Sequence, residues 1–177
     1  MQKIFFSGKN LSRILKLKNK IERKLKIKLI IRRDGIYISG ISAESFDEYI
    51  IAKIIEAISL GFNIEEAMQL GNTDYSLNQI NIKDLIKKSR LKAANARVIG
   101  KKGKTRKIIE ELSSCSIVID LPHVYILGRA ENVETAMKAI VSLIHGSKQS
   151  NIYNYLEKNK ARLRALEEEN VAEFINK

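Results

Sequence analysis

The sequence contains an internal repeat, in which one order of apolar segments and turns returns after about 84 to 88 residues. Each copy has an Arg-led apolar segment, a β-rich run, a second β-rich run that ends in glycine, and a helical stripe of apolar residues followed by glycine. The matched segments are Arg13-Ile14-Leu15 with Arg97-Val98-Ile99, Ile27 to Ile31 with Cys115 to Ile119, and Tyr37-Ile38-Ser39-Gly40 with Tyr125-Ile126-Leu127-Gly128. In a chain of 177 residues, this repeat predicts two small domains with the same plan.

The second copy predicts a complete order of helices and strands. Its predicted elements are a strand at 77–82, a helical stretch to about Ile99, a helix at about 104–113, strands at about 115–120 and 123–128 around the turn Leu121-Pro122, and a helix at about 131–145. The first copy predicts the same order, with a strand at 2–6, helices around 10–25, strands at 27–32 and 35–39 joined at Asp34-Gly35, and a helix at 44–60. The order β-α-α-β-β-α predicts an α+β fold with a three-stranded antiparallel sheet and helices on one face.

The predicted domains cover residues 1–72 and 76–146, and residues 150–177 form a C-terminal helical tail. Asn63 and Glu66 are spaced as in a capping box, and they predict a short helix that stops at Gly71. The apolar positions of the tail make only a narrow stripe, consisting of Ile152, Leu156, Leu163 and Leu166. The stripe leaves two alternatives open, a tail that docks on the preceding domain and a tail that docks on a partner.

Two glycines interrupt the helical region of the second copy, and two lysines stand between them. Because Gly100 and Gly103 carry no side chain, a ligand can approach the backbone closely at this point. The lysines and the backbone amides of the following helix favour a phosphate. An apolar lead-in, a G-x-x-G loop and an amphipathic helix together resemble the RNA-clamping loop of a type I KH domain. The candidate RNA-binding residues are Arg97, Val98, Ile99, Gly100, Lys101, Lys102, Gly103, Lys104, Thr105, Arg106, Ile109, Ile117, Val118 and Ile119.

The predicted groove holds about four nucleotides of single-stranded RNA between the helices around the loop and the strand at 115–120. The glycines admit the sugar-phosphate backbone, and positive charge comes from Lys101, Lys102, Lys104 and Arg106. The apolar candidates offer a floor for the bases, although some of them must belong to the hydrophobic core.

The first copy lacks this loop. Where the second copy has Gly100-Lys101-Lys102-Gly103, the first has Lys16-Leu17-Lys18-Asn19, or a loop shortened by about three residues. Asn19 tolerates a left-handed conformation, but the side chains of Lys16 and Leu17 block a close approach between backbones. The first domain is therefore expected either to bind RNA through surface lysines or to have an architectural role.

Basic charge is concentrated in two blocks of the sequence. The formal net charge is +12, and the blocks are residues 1–33, with twelve Lys and Arg against Glu22, and residues 83–107, with eleven against Asp84. This uneven distribution indicates a polyanionic partner such as RNA. A solvated, lysine-rich surface is the alternative explanation, and it accounts less well for the block that contains the glycines.

Other chemistry finds little support in the sequence. Cys115 is the only cysteine, which excludes an intramolecular disulfide or a thiolate metal site, and its apolar neighbours predict a buried strand. His123 and His145 have no clustered ligands around them, so we expect no metal and no cofactor. No signal peptide and no long apolar run stand out, which predicts a soluble, cytoplasmic protein.

Gly103-Lys104-Thr105 also matches the end of a nucleotide-binding P-loop. That motif requires a glycine where Val98 stands, and it requires a preceding strand, whereas residues 90–99 favour a helix. No paired carboxylates stand out, and the acids Glu110, Glu111 and Glu167–Glu169 are expected on solvated helix faces. We therefore predict a binding protein rather than an enzyme, with a P-loop NTPase as the alternative from another class.

At residues 97–112 the chain resembles the archaeal two-KH proteins related to the eukaryotic small-subunit assembly factor known as partner of the rRNA 3′-end nuclease. A second match is Ile152-Tyr153-Asn154-Tyr155-Leu156-Glu157, which resembles the family's tail motif. The resemblance implies binding near the 3′ end of small-subunit rRNA during ribosome maturation, alongside a PIN-domain endonuclease. It also implies a contact, in related archaeal proteins, with the translation initiation factor that handles initiator tRNA.

A KH subunit of another RNA machine remains the alternative among binding proteins. An RNA-degrading complex and a transcription elongation factor both use KH domains. Such subunits usually add an S1-type barrel, for which this chain has no room.

Overall fold

The computed structural model describes residues 2–4, 8–32, 35–39 and 47–175, which form two compact units, one up to Leu77 and the other from Asn78. In the first unit the elements are β1 (Gln2–Ile4), α1 (Gly8–Leu25), β2 (Lys28–Arg32), β3 (Gly35–Ser39), α2 (Glu48–Leu60) and α3 (Ile64–Met68). Strand β4 (Tyr75–Asn81) begins at the boundary, and α4 (Ile82–Leu85), α5 (Leu91–Ile99), α6 (Lys104–Ser113), β5 (Ser116–Asp120), β6 (His123–Arg129), α7 (Ala130–His145) and α8 (Gln149–Ile175) follow.

The first unit has a three-stranded antiparallel sheet in the order β1-β3-β2. Alternation along β3 buries Ile36 and Ile38, because successive side chains of a strand point to opposite faces. Two isoleucines of α1, Ile14 and Ile21, are also fully buried. The predicted turn residue Asp34, the end of the strand at 2–6 and the first residues of the helix at 44–60 lie outside the described residues.

The first unit differs from the predicted order at one point. A single helix, α1, runs without interruption from Gly8 to Leu25, where two helices were predicted. The segment Lys16-Leu17-Lys18-Asn19, predicted as one of two alternatives at the place of the glycine loop, lies inside this helix. None of these four residues is Gly or Pro, so nothing in the segment favours a break. The prediction of a loop in the first copy is therefore wrong.

The connection between the sheets begins with the predicted capping box. Asn63 Oδ1 accepts a hydrogen bond from the Glu66 amide at 2.7 Å, and Glu66 Oε2 accepts one from the Asn63 amide at 2.9 Å. A 3₁₀ turn at Gln69–Gly71 ends this short helical segment. The predicted helix start and its stop at Gly71 are both confirmed.

The second unit has the predicted three-stranded antiparallel sheet, in the order β4-β6-β5. Ser116 pairs with Leu127 and Asp120 with His123, so β5 and β6 form a hairpin around the turn at Leu121-Pro122, whose peptide bond is cis. The carbonyl of Pro122 accepts a hydrogen bond from the Ile82 amide at 2.9 Å. Helices α5, α6 and α7 contact one another around one hydrophobic core.

Helix α8 is part of the second unit, which decides between the two alternatives for the tail. It contacts α6 and α7, and Ile152 and Leu156 lie in the same core cluster as Val124 and Ile140. Leu156 is completely buried, whereas Leu166 farther along the helix is 46% exposed. The first half of the apolar stripe therefore docks on the preceding domain. Among the described residues, no helix is both long enough and apolar enough to cross a membrane.

Candidate nucleic-acid interface

The glycine loop joins the end of α5 to the start of α6 in a single tight 3₁₀ turn, Lys101–Gly103. Three residues have positive φ, Gly100 at +72°, Lys102 at +53° and Gly103 at +76°. The Gly103 amide donates to the Gly100 carbonyl at 3.2 Å and closes the turn. A helix precedes the loop, as predicted, whereas a P-loop requires a strand there.

The two glycines are needed for different reasons. A Cβ on Gly100 would overlap the side chain of Thr105 and would lie 2.7 Å from the Thr105 backbone nitrogen. A Cβ on Gly103 would meet no protein atom within 4 Å. Gly100 is thus required by packing inside the protein, while the space beside Gly103 is open to a ligand. The sequence could not distinguish these two roles.

Three lysines surround the open side of the loop. The side chains of Lys101, Lys102 and Lys104 are exposed, and none forms an ion pair with an acidic residue in the described ranges. Lys102 is the one residue of this group held at positive φ, a conformation that costs free energy in a non-glycine residue. The loop therefore presents backbone and three free cations to solvent.

The two predicted arginines are engaged within the protein. Arg97 Nη1 donates to the Ile144 carbonyl at the C-terminal end of α7, at 3.3 Å. Arg106 Nη2 lies 3.1 Å from Glu110 Oε1 in an ion pair along α6, with 43% of the Arg106 side chain exposed. Arg97 therefore helps to satisfy a helix end, and Arg106 keeps part of its side chain accessible.

The predicted apolar floor divides into three groups. The side chains of Val98, Ile109 and Ile117 are each only 1% exposed and belong to the core, where no base can reach them. Ile99 and Ile119 are half-buried and lie at the surface of the helix layer and of β5. Val118 is also half-buried, but strand alternation directs it to the face opposite Ile117, away from the helices. Of the six apolar candidates, only Ile99 and Ile119 thus remain candidates for a base contact.

The sequence did not predict one contact at the free edge of β5. Strand β5 is an edge strand, and its Ile117 amide donates to Glu110 Oε1 at 2.8 Å. Glu110 was expected to be solvated, yet its side chain is only 23% exposed. The signal was present in the sequence as a spacing of seven residues that recurs between Glu22 and Leu29.

Thr105 connects the loop with the C-terminal helix. Its side chain is buried, with 2% of the residue exposed, and its Oγ1 accepts a hydrogen bond from Gln149 Nε2 at 2.9 Å. Gln149 is the first residue of α8. The sequence predicts Thr105 as an RNA contact, but it gives no sign of Gln149, because 44 residues separate the two.

The single cysteine is buried as predicted, next to β5 and against Gly128 of β6. Burial raises the pKa of the Cys115 thiol to about 11. The thiol is therefore protonated at neutral pH and packs as a small apolar group. Among the described residues, no three His, Cys, Asp or Glu side chains converge as metal ligands do.

This sheet order, with three helices on one face and a glycine loop between the first two, defines a KH domain of type I, which is an RNA-binding module. A family model described as a eukaryotic-type KH domain (KH-domain type I), that of the second KH domain of PNO1, matches residues 76–161. The chain belongs to the PNO1/Dim2 family of KH-domain proteins.

Relatives in two domains of life support this assignment. A KH domain-containing protein of Methanocaldococcus jannaschii is 32% identical over 152 residues, which are 84% of this chain and 67% of that protein. The pre-rRNA-processing protein pno1 of Emericella nidulans is 35% identical over 114 residues, 62% of this chain. The chain spans only 44% of the length of that fungal relative.

A solved structure supports the same family assignment. The crystal structure of an a/eIF2alpha–aDim2p–rRNA complex from Pyrococcus horikoshii OT3 contains a chain that is 32% identical to this one, with a TM-score of 0.76. The superposition covers 91% of this chain and 94% of that chain.

Proposed function

We propose that this protein binds single-stranded RNA as a non-enzymatic factor of small-subunit ribosome maturation, on rRNA near its 3′ end. The observation that carries the proposal is the empty space beside Gly103, next to three exposed lysines. A phosphate backbone fits such a place, because it needs close access to the main chain and positive charge around it. The relatives named as pre-rRNA-processing proteins, and the relative that was solved with rRNA, support the substrate class.

The mechanism assigns different tasks to the loop and to the groove. The backbone at Lys102 and Gly103 contacts the sugar-phosphate chain, and Lys101, Lys102 and Lys104 neutralise phosphates. The bases lie over Ile99 and Ile119, and the Arg106–Glu110 pair stands at the wall between α6 and β5. Since each neutralised phosphate on a single strand contributes about −0.7 to the salt slope, three contacts predict a slope of about −2.

We further propose that the first unit is a KH domain that has lost its loop. Three contacts of the second unit have counterparts in the first. The Leu29 amide donates to Glu22 Oε1 at 2.8 Å, as the Ile117 amide does to Glu110, and Lys18 lies 4.0 Å from Glu22 where Arg106 pairs with Glu110. Arg13 Nη2 donates to the Gly61 carbonyl at 2.7 Å at the end of α2, as Arg97 does at the end of α7.

The spacing of these counterparts locates the deletion. Arg13 and Arg97 are 84 residues apart, whereas Lys18 and Arg106 are 88 apart. The first unit therefore lacks four residues between these two points, which is the length of the G-x-x-G loop. Without them the two helices of the KH plan continue into each other as α1. This unit has no loop to clamp RNA, and surface lysines or an architectural task remain for it.

One proposed partner is suggested by a relative. The Pyrococcus horikoshii complex contains a/eIF2alpha together with its aDim2p and rRNA, and we propose the corresponding initiation factor as a partner of this protein. A PIN-domain endonuclease is proposed as a second partner from the family resemblance of the sequence alone. We propose the cytoplasm as the compartment of this protein. A KH subunit of another RNA machine is not favoured, because the matched relatives are pre-rRNA-processing proteins.

The RNA affinity of a variant protein with a charge-reversed loop tests the proposal. The variant with both Lys101→Asp and Lys102→Asp should lose measurable binding to single-stranded small-subunit 3′-end rRNA while its thermal unfolding stays cooperative. A matched control reverses two exposed charges on α8, Lys158→Asp and Arg164→Asp, and should bind within about threefold of the unchanged protein. If the loop variant and the unchanged protein bind RNA with equal affinity, RNA does not bind in the proposed groove.

A further inference from the structure

Helix α8 reaches back to the RNA loop through one side chain. Gln149 Nε2 donates a hydrogen bond to Thr105 Oγ1 at 2.9 Å. Thr105 follows the glycine loop by two residues and is the second residue of α6. The contact therefore joins the first turn of α8 to the first turn of α6.

Thr105 in turn shapes the first glycine of the loop. Its side chain and backbone fill the place that a Cβ on Gly100 would take, so the two residues are in close contact. Thr105 is 2% exposed, and rotation of its side chain about χ1 would exchange the hydroxyl and the methyl group against Gly100. A hydrogen bond to Oγ1 selects the rotamer in which the hydroxyl stays where it is.

The position of Gln149 is fixed by the rest of α8. One turn farther on, Ile152 is 5% exposed, and Leu156 after it is fully buried in the core. Lys160 Nζ donates to the Glu111 carbonyl of α6 at 2.9 Å and forms a second polar contact between the helices. The donor to Thr105 thus belongs to an anchored helix.

We propose that Gln149 is a positioning residue for RNA binding, which makes α8 a part of the RNA site although it does not touch the RNA. Lys102 in the loop has a positive φ, and in a non-glycine residue such a conformation persists only when the surroundings determine it. Gln149 holds Thr105, Thr105 holds Gly100, and the loop is kept in the conformation that receives the phosphate backbone. A preorganised loop loses less conformational entropy on binding. The inference rests on the proposed function of the same loop.

The test is a double-mutant cycle on RNA affinity. Gln149→Ala removes the donor, and Thr105→Val removes the acceptor with nearly the same shape. Each variant should weaken RNA binding by about threefold to tenfold, the effect of one lost neutral hydrogen bond. The double variant should be no weaker than either single variant, because both changes break the same contact. If the losses of RNA-binding free energy in the two single variants add up in the double variant, the inference is wrong.

Two further measurements separate positioning from a general loss of stability. Asn159→Ala removes a neutral amide from the same helix, where Asn159 Nδ2 bonds the Tyr155 carbonyl, and should leave RNA affinity unchanged. In ¹⁵N-labelled protein, Gln149→Ala should shift or broaden the amide signals of Gly100 and Gly103, at an unfolding midpoint close to that of the Asn159→Ala variant. Unchanged loop signals would contradict the inference.

The loop variant Lys101→Asp with Lys102→Asp is measured in the same assay. If it loses RNA binding while Gln149→Ala binds like the unchanged protein, the positioning role is wrong and the proposed function stands. If neither variant loses binding, the proposed function itself is wrong.

Discussion

The backbone amide of Ile117 donates to Glu110 Oε1 at 2.8 Å, across the free edge of the second sheet. The carboxylate also pairs with Arg106, so one side chain satisfies an edge donor of β5 and forms an ion pair along α6. The first unit repeats the contact between Leu29 and Glu22 at the same distance. The contact occurs in both copies, although the first copy has no glycine loop. Its role is therefore structural, because it joins a helix to the edge of the sheet.

Glu110→Ala should therefore lower the free energy of unfolding by about 1–3 kcal/mol, because a charged acceptor is removed from a partly buried donor. Glu110→Gln keeps an acceptor and should cost less. Urea denaturation monitored by circular dichroism measures both. The matched control is Glu111→Ala, an exposed neighbour, which should change stability by less than about 0.5 kcal/mol. A larger effect at Glu111 than at Glu110 would contradict this role.

Arg97→Ala should reduce stability more than it changes the salt dependence of RNA binding. Its guanidinium bonds the Ile144 carbonyl and lies within 4.0 Å of the position of a Cβ on Gly146, so it supports the end of α7. We expect a loss of about 1 kcal/mol in the free energy of unfolding. By contrast, Lys101→Ala should reduce the slope of log affinity against log salt by about 0.7 with little change in stability. If Arg97→Ala also reduces the slope of log affinity against log salt, Arg97 contacts a phosphate.

Gly128→Ala should destabilise the protein through a clash with Cys115. A Cβ at Gly128 would lie 2.7 Å from Cys115 Sγ and 3.3 Å from Cys115 Cβ. Overpacking of this kind costs about 1–3 kcal/mol. Combining it with Cys115→Ala removes the sulfur and should recover part of the loss, which thermal unfolding of the four proteins in the cycle will measure. Independent, additive effects would show that the two side chains do not compete for space.

Stability should fall as the pH rises from about 9 to about 11. The pKa of Cys115 is raised from 9.0 to about 11 by burial, so the native state holds its proton more tightly than the unfolded state does. Between these two values the unfolded chain loses the proton first, and deprotonation therefore favours unfolding. The contribution of the Cys115 thiol to this pH dependence is measured by comparing the unfolding midpoints of the unchanged protein and of Cys115→Ala between about pH 9 and about pH 11. Rapid alkylation of native Cys115 by iodoacetamide at pH 8 would contradict its burial.

The sequence predicted the fold of the second unit well because each of its elements has a local cause. Alternation marked β4, a run of apolar residues marked β5, glycine stopped α7 at Gly146, and the turn at Leu121-Pro122 separated the hairpin strands. The continuous helix α1 of the first unit was harder to predict. A helix break requires a residue that favours it, and Lys16-Leu17-Lys18-Asn19 contains none. The four-residue deletion that we propose for this unit depends on contacts that recur with two different spacings.

The sequence indicates which residue types make up the candidate site, but not which way their side chains point. Val98 and Ile99 are adjacent and both apolar, yet the helix turns Val98 into the core and leaves Ile99 at the surface. Val118 could have been assigned to the opposite face from strand alternation alone. The Gln149–Thr105 contact depends on how α8 docks, and only the tertiary structure contains that information.

The central claim, that the open backbone at Gly103 receives the RNA strand, is tested most directly by Gly103→Asn. Asparagine tolerates the positive φ of this position, and its Cβ would meet no protein atom within 4 Å, so the free protein should remain folded. The same substitution at Gly146, another glycine at positive φ, is the matched control. In fluorescence anisotropy with a single-stranded 3′-end rRNA oligonucleotide, Gly103→Asn should bind about tenfold more weakly or worse, while Gly146→Asn binds normally. Normal affinity of Gly103→Asn would contradict the claim.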